Sequence, residues 1–389
     1  MTITVNAGAV TLALHAVTTN GDTTATVRRD PWTPADRSPF EEIESMLSGP
    51  VRLVAHRVVH GGAHFDSAVE IDDDVVASID ALGELAPLHH PRIVEAIEVA
   101  RRRWPDATHV AEFDTSFHRT LPPAASTYPL PRDWTSEWGI RRFGFHGLSH
   151  QHVARTAPAI VGGRGPLGKI ISCHVGSGVS MCAVRDGVSV DTTMGFTPLE
   201  GPMMTTRSGS VDPGLLMWLL SSGRITIDAL DRALRESSGL AGVSGTSGDL
   251  RDVIAASGRG DPDAQLALDM YARGLARGVA EMVVSAGGID VLAFTGGVIE
   301  NLPDLRRTVV DQLTFLGLDL DDDVNPAVIE RDARISSASS DVAVVLVANG
   351  EHLELARAAE GLAQRVHAPD LPDTTSASTS SIGTVRTTR

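Results

Sequence analysis

Residues 2–17 read TITVNAGAVTLALHAV, and residues 169–184 read KIISCHVGSGVSMCAV. Each is an apolar stretch, a short turn carrying glycine, and a second apolar stretch. In the first, Ile3 and Val5 precede Asn6-Ala7-Gly8, and Val10, Leu12 and Leu14 then alternate with the period of two that marks a strand. In the second, Lys169 to Ser172 forms the strand, Gly176-Ser177-Gly178 the turn, and Val179 to Val184 the return strand. A glycine turn lets backbone N–H groups approach an anion because no Cβ intervenes. One such unit in each half of the chain points to two lobes facing each other across phosphate groups. Two ordinary hairpins would present the same spacing, since hairpin turns also favour Asn and Gly.

Working outward, Arg52 to Val59 is a strand that ends in His60-Gly61-Gly62, and Ala107 to Phe113 is a short apolar strand. Residues 18–50 are polar and irregular apart from helix signals near Pro39 to Leu47. Residues 92–103, 212–222, 226–237 and 262–286 carry helical periodicity, and Gly147 to Ala157 opens a helix close to the lobe boundary. Asp290 to Phe294 is a buried strand that ends in Thr295-Gly296-Gly297. Val342 to Val347 is the last strand and Glu351 to Arg365 the last helix. Lobe I is expected over 1–150, completed by the C-terminal helix 351–366, and lobe II over 151–350. Residues 367–389 are Ser-, Thr-, Pro- and Asp-rich, have almost nothing to bury, and read as a disordered tail.

The chain's 389 residues bear 33 basic and 49 acidic side chains, a net charge of −16. That argues against nucleic-acid or anionic-membrane partners, which need clustered cations, but not against a phosphate site, which needs a few local donors. Lys169 is the only lysine, so nearly every cation is a guanidinium fork suited to carboxylate and phosphate. Cys173 and Cys182 have no metal-ligand spacing around them and make no disulfide framework. The N-terminus lacks the pattern of a signal peptide, and no apolar run is long enough to span a bilayer. A cytoplasmic protein is the expectation.

Arg57, before a glycine turn, and Arg207, in Thr205-Thr206-Arg207-Ser208-Gly209, are placed to hold a carboxylate or a transferring phosphoryl group; a structural ion pair is the commoner role of any single arginine. His146 lies between aromatics and glycines, where its charge can be tuned. Asp114 follows a strand and either orients a ligand or caps a helix. Thr295 to Asn301 follows a buried strand, the position where α/β folds bind ligands. There is no G-x-x-x-x-G-K-[ST], which counts against a P-loop enzyme.

Together these segments resemble the acetate kinase family. The resemblance is carried by HRVVHGG (56–62), LAPLHHP (85–91), EFDTSFH (112–118), RRFGFHGLSH (141–150), MGFTPLEGPMMTTRSGSVDPG (194–214), SGLAGVSGTSGDLRDV (238–253) and NGEHLELAR (349–357), in order along the chain. It implies an α/β, actin-like (ribonuclease H-like) fold with duplicated βββαβα cores and a central cleft. It also implies ATP or ADP as co-substrate, Mg²⁺ (or Mn²⁺), acetate or a similar short carboxylate, and a homodimer. By residue, it implies that Asp114, His146 and Arg207 are catalytic and that Arg57 holds the substrate. Val59, Leu88, Phe145 and Pro198 would form the apolar acyl pocket, and Asn6 and Glu351 would serve the metal. The nucleotide would lie on His174, Val175, Gly176, Ser177, Gly178, Asp249, Leu250, Arg251, Gly297, Val298, Ile299, Glu300 and Asn301.

The departures cluster on the phosphate side. The family's first turn, N-A-G-S-S-S-L-K, reads Asn6-Ala7-Gly8-Ala9-Val10-Thr11-Leu12-Ala13, which loses two hydroxyls and the lysine. Its G-N-G turn reads Gly176-Ser177-Gly178, and its L-H-N-P reads Leu88-His89-His90-Pro91. The expected activity is reversible in-line phosphoryl transfer between ATP and acetate. The alternatives are a kinase with another donor or a short acyl substrate such as propionate, and a catalytically impaired regulatory paralogue.

Overall fold

The structure, a computed structural model, describes residues 1–87, 89–162 and 168–367. The first sheet contains β1 (Thr2–Ala7), β2 (Leu12–Val17), β3 (Thr23–Arg29), β4 (Leu53–Val58), β5 (Val69–Glu70) and β6 (Thr108–Phe113). The second contains β7 (Lys169–Val175), β8 (Val179–Arg185), β9 (Val188–Thr192), β10 (Val291–Thr295), β11 (Ala333–Arg334) and β12 (Ala343–Leu346). Their strand orders are β3-β2-β1-β4-β6-β5 and β11-β12-β10-β7-β8-β9. Read from the meander end, the two are the same. Three antiparallel strands (β1–β3, β7–β9) are followed by a strand parallel to the first (β4 on β1, β10 on β7), a second parallel strand, and a two-residue antiparallel edge. The repeated hairpin of the sequence is the opening of a whole repeated sheet.

β7, β8 and β10 are buried almost throughout, the polar Ser172, His174 and Ser180 included, as in strands covered on both faces. The 25-residue helix Pro262–Ala286 covers one face of the second sheet. The helix Gly147–Ile160 covers the other, where Val153 and Ala157 pack on Ile170, Val184 and Ala293. That helix starts under the first lobe and ends under the second, so the chain passes between the sheets within it. The C-terminal helix Glu351–His367 then returns to the first sheet. Leu355 and Ala359 pack there with Ala55, Val110 and Leu148, the buried Leu355 side chain alone stabilising the return by about 2 kcal/mol.

Four strands are additions to the expected elements: β3, within residues 18–50 beside the expected helix (Ser38–Ser45), β9, which follows β8, and the two-residue edges β5 and β11. β3 and β9 lie outermost in their meanders and bury little, and β5 and β11 are too short to show a period, so the alternation that reveals a strand is weak in all four. Residues 368–389, most of the expected tail, lie outside the described residues. Among the described residues no helix is long and apolar enough to cross a membrane.

Candidate active site

The strands of both sheets deliver their carboxyl ends to one cavity of about 620 Å³. From the first lobe come Asn6 and the turn 7–11, Arg57 at the end of β4, Val59, and Asp114 immediately after β6. Phe145, His146 and Pro198 line it as well. From the second lobe come His174, Gly176, Ser177, Gly178, Arg207, Gly297 and Val298, and the last helix, which packs on the first sheet, adds Glu351 at its start.

Arg57 is held from three sides. Its Nε donates to Oδ1 of Asp114 at 2.8 Å and its Nη2 to Oδ2 at 2.6 Å. Nη1 donates to Oδ1 of Asn6 at 3.2 Å and lies 3.5 Å from Oε2 of Glu351. Burial alone would lower the guanidinium's pKa; the Asp114 and Glu351 carboxylates more than offset this and leave it raised. Asp114 is 1% exposed. Burial lifts its carboxyl above the ordinary value and the Arg57 fork opposes that lift. The two-pronged contact fixes the plane of the guanidinium.

Arg207 is the opposite case. Its Nη1 donates to the Pro198 carbonyl at 2.6 Å, and among the described residues no carboxylate lies within ion-pair range of it. Burial, and then the neighbouring Arg235, lower its pKa to about 10. It stays charged at neutral pH and lacks an anion. Gly178 marks where it points: a Cβ there would sit 2.6 Å from its Nη2, 3.1 Å from Cε1 of His146 and 3.2 Å from Nε2 of His146. The guanidinium and the imidazole therefore converge on a bare stretch of backbone.

His146 caps the helix Gly147–Ile160 with φ of 55°. Its ring stacks on His174 at 4.2 Å, and its Nδ1 lies 2.9 Å from Oγ of Ser180. Burial first, then His174 and Arg57, push its pKa well below the ordinary value, so the ring is neutral. A wider seam supports it: Ser180 also meets His150 at 2.8 Å, His150 meets Ser172 at 2.8 Å, and Ser149 meets His174 at 2.8 Å.

The remaining expected residues divide into two groups. Val59, Phe145 and Pro198 line the cavity; Leu88 lies outside the described residues. Val175, Ile299 and Glu300 are buried behind the lining. Glu300 accepts from the Gly296 N–H at 2.8 Å and fixes the turn; Gly296 has φ of 101°, and any Cβ there would strike the Val175 backbone, so only glycine fits. Asn301 donates to the Gly297 carbonyl at 3.0 Å and to Glu330 at 2.8 Å. Asp249 caps the helix Leu250–Gly258 and pairs with Arg251. This trio is outside the cavity lining, one loop removed, where Gly248 packs on Thr205. Arg28, Arg29, Asp30, His89 and Asn349 line the cavity without having been expected there. The first three arrive with β3. For His89, its place in Leu88-His89-His90-Pro91 was the available signal.

Among the described residues, no group of three or more His, Cys, Asp or Glu side chains is gathered to hold a metal ion. Asn6 and Glu351 nevertheless offer an amide and a carboxylate oxygen at the cavity wall, with Asn6 Nδ2 only 3.4 Å from Oε2 of Glu351. A hard oxygen pair of this kind fits Mg²⁺, which takes few protein ligands and completes its shell with water and phosphate.

Residues 39–357 match the Acetokinase family. The chain is 47% identical over 271 residues to an acetate kinase of Nostoc punctiforme, covering 70% of this chain and 67% of that one. It is 44% identical over 325 residues to an acetate kinase of Gloeobacter violaceus, with 81% and 80% coverage. Its fold superposes on the crystal structure of Porphyromonas gingivalis acetate kinase with a TM-score of 0.83 at 31% identity, covering 93% of this chain and 99% of that one. It superposes equally, at a TM-score of 0.83 and 29% identity, on a propionate kinase from Francisella tularensis, with 92% and 99% coverage. With two sheets of one topology, a cleft between them and these likenesses along most of its length, the chain belongs to the Acetokinase family.

Proposed function

We propose that the protein is an acetate kinase, catalysing reversible phosphoryl transfer between ATP and acetate to give ADP and acetyl phosphate. The observation that carries this reading is the pair of guanidinium groups on one cavity, Arg57 from the first lobe and Arg207 from the second, the latter without a counter-ion among the described residues.

The acetate methyl enters the apolar recess of Val59, Phe145 and Pro198, and the carboxylate lies against the arginines. One carboxylate oxygen attacks the γ-phosphorus, the bond from that phosphorus to the β–γ bridging oxygen breaks, and ADP leaves with the electron pair. No proton has to move, so no general base is needed; the barrier is lowered by alignment and charge neutralisation. Asp114 locks the Arg57 fork in register. Neutral His146 and Arg207 face the transferring group, and the Gly176-Ser177-Gly178 and Gly297-Val298 turns receive the nucleotide. Asn6 and Glu351 would hold Mg²⁺ (Mn²⁺ shares its oxygen preference), which supplies charge neutralisation of the phosphates when bound. The working form is a homodimer in the cytoplasm, paired through an exposed apolar helix of the second lobe.

Purified protein given Mg-ATP, acetate and hydroxylamine should yield acetyl hydroxamate. Arms with propionate, and with other phosphoryl donors, sort the acyl and donor preferences, the latter because the Gly8–Thr11 turn has lost hydroxyls. Arg207→Ala should lower kcat by about 10³-fold or more, on the scale of an arginine finger. Turnover undiminished in that variant would refute the assignment of Arg207.

A further inference from the structure

Three strands place Asn6, Ala13 and Arg28 in one row. Asn6 of β1 lies directly opposite Ala13 of β2, and Ala13 lies directly opposite Arg28 of β3. Side chains of directly opposed residues share a face of the sheet, and all three line the cavity. Two strand spacings separate the Arg28 backbone from that of Asn6 by about 10 Å. The residue between them contributes only a methyl group, so an arginine on β3 can lean across it toward the phosphate side of the site.

The other cations of this wall are committed. Arg57 is bonded to Asp114 and Asn6, and Arg29 to Glu42. Among the described residues the Arg28 guanidinium has no hydrogen bond or ion pair. On the cavity side it neighbours His15 and His352. These two rings stack at 4.2 Å along a small side chamber that Arg28 shares with Asn6, Asn349 and Glu351. The Acetokinase match begins at residue 39 and leaves β3 out.

We propose that Arg28 is a substrate-binding residue that reaches over Ala13 to bind the terminal phosphates of the nucleotide. This deepens the kinase reading and rests on it for the identity of the ligand. The Gly8–Thr11 turn presents few hydroxyls to those phosphates, and a guanidinium bonds two phosphate oxygens at once.

The test measures MgADP binding by calorimetry, together with KM for ATP and for acetate, in wild type, Arg28→Ala, and Arg28→Ala combined with Ala13→Lys. Loss of one charge-assisted contact should weaken MgADP binding and raise KM for ATP by about tenfold, with KM for acetate unchanged. A lysine placed in the middle of the row should restore most of that loss. An unaltered dissociation constant in Arg28→Ala, a parallel rise in KM for acetate, or a loss that the lysine leaves uncorrected would each overturn the proposal. So would wild-type protein that does not bind MgADP. Binding that follows the expected series without any acyl hydroxamate would sink the kinase reading while upholding Arg28.

Discussion

A Cβ on Gly178 would meet the Arg207 guanidinium at 2.6 Å and the His146 ring at 3.1 Å. Unlike Gly296 at 101°, Gly178 is not among the residues with a left-handed backbone, so alanine there is not strained by φ. Gly178→Ala should therefore fold normally and displace the Arg207 and His146 side chains, to which the proposed mechanism assigns the transferring group, by a fraction of their contact distance. Misplacement on that scale costs about 10²-fold in rate. The check is kcat beside the melting temperature: a fall in kcat with Tm within a few degrees of wild type is expected, and full activity would show that the two side chains do not act from these positions. At this scale the site was largely legible, since Asn6, Arg57, Asp114, His146, Arg207 and Glu351 are tied to distinctive local motifs and all reach the cavity. Arg28 and Asn349 were not, because an arginine on an exposed strand and an asparagine before a helix look the same whether or not a cavity lies beside them.

The helix Gly147–Ile160 and the strands β7 and β8 share a seam of imidazoles and hydroxyls whose charge state governs acid stability. Burial lowers His118 and His174 to about 4 and takes His146 and His150 well below their ordinary value. His60 and His89 stand at about 4 for the same reason. The unfolded chain binds protons on all of these near pH 6.5 and the folded chain does not. Stability is therefore fully present above about pH 6.5 and is lost as pH falls from there, through about 4 for His60, His89, His118 and His174. The carboxyls of Glu112, Asp114, Glu281 and Glu300, raised by burial, act in the opposite sense but are fewer. Melting temperatures from pH 7.5 to 4.5 should drop steeply below 6.5, with net proton uptake on unfolding; a flat profile would contradict the neutral seam. The sequence displayed the histidines but not their burial, which depends on tertiary packing of the helix against the second sheet. β3 and β9 escaped for a related reason: an outer strand half open to water, such as Thr23-Thr24-Ala25-Thr26-Val27 with only Val27 buried, carries little hydrophobic period to read.

At the scale of the molecule, the duplicated sheets account for the cleft, and the surface of the second lobe is what supports the proposed homodimer. The helix Pro213–Ser221 reads PGLLMWLLS and buries no residue, although Leu215, Met217 and Trp218 are 45%, 64% and 50% exposed. A helix that is apolar on every side is ordinarily buried, and a contiguous exposed apolar patch marks an interface. Beside it runs a groove of about 900 Å³ that includes Met203, Val211 and Met270. Val211 and Met270 are themselves exposed, and Arg224 covers the Trp218 ring at 4.2 Å. A second copy of the chain would supply the matching apolar surface by two-fold symmetry, where one patch meets itself, as the proposed homodimer requires. Light scattering on wild-type protein should give twice the mass of the 41.0 kDa chain. Trp218→Asp combined with Met217→Glu would bury four charges at a two-fold contact and should shift the protein to monomer at micromolar concentration, with the far-ultraviolet circular dichroism unchanged. A monomeric wild type, or a double variant that stays dimeric, would remove this helix from the interface. Because Arg207 and Pro198 lie on the loop that precedes this helix in the chain, the monomer should also lose activity through a looser Arg207, and raising protein concentration should recover it.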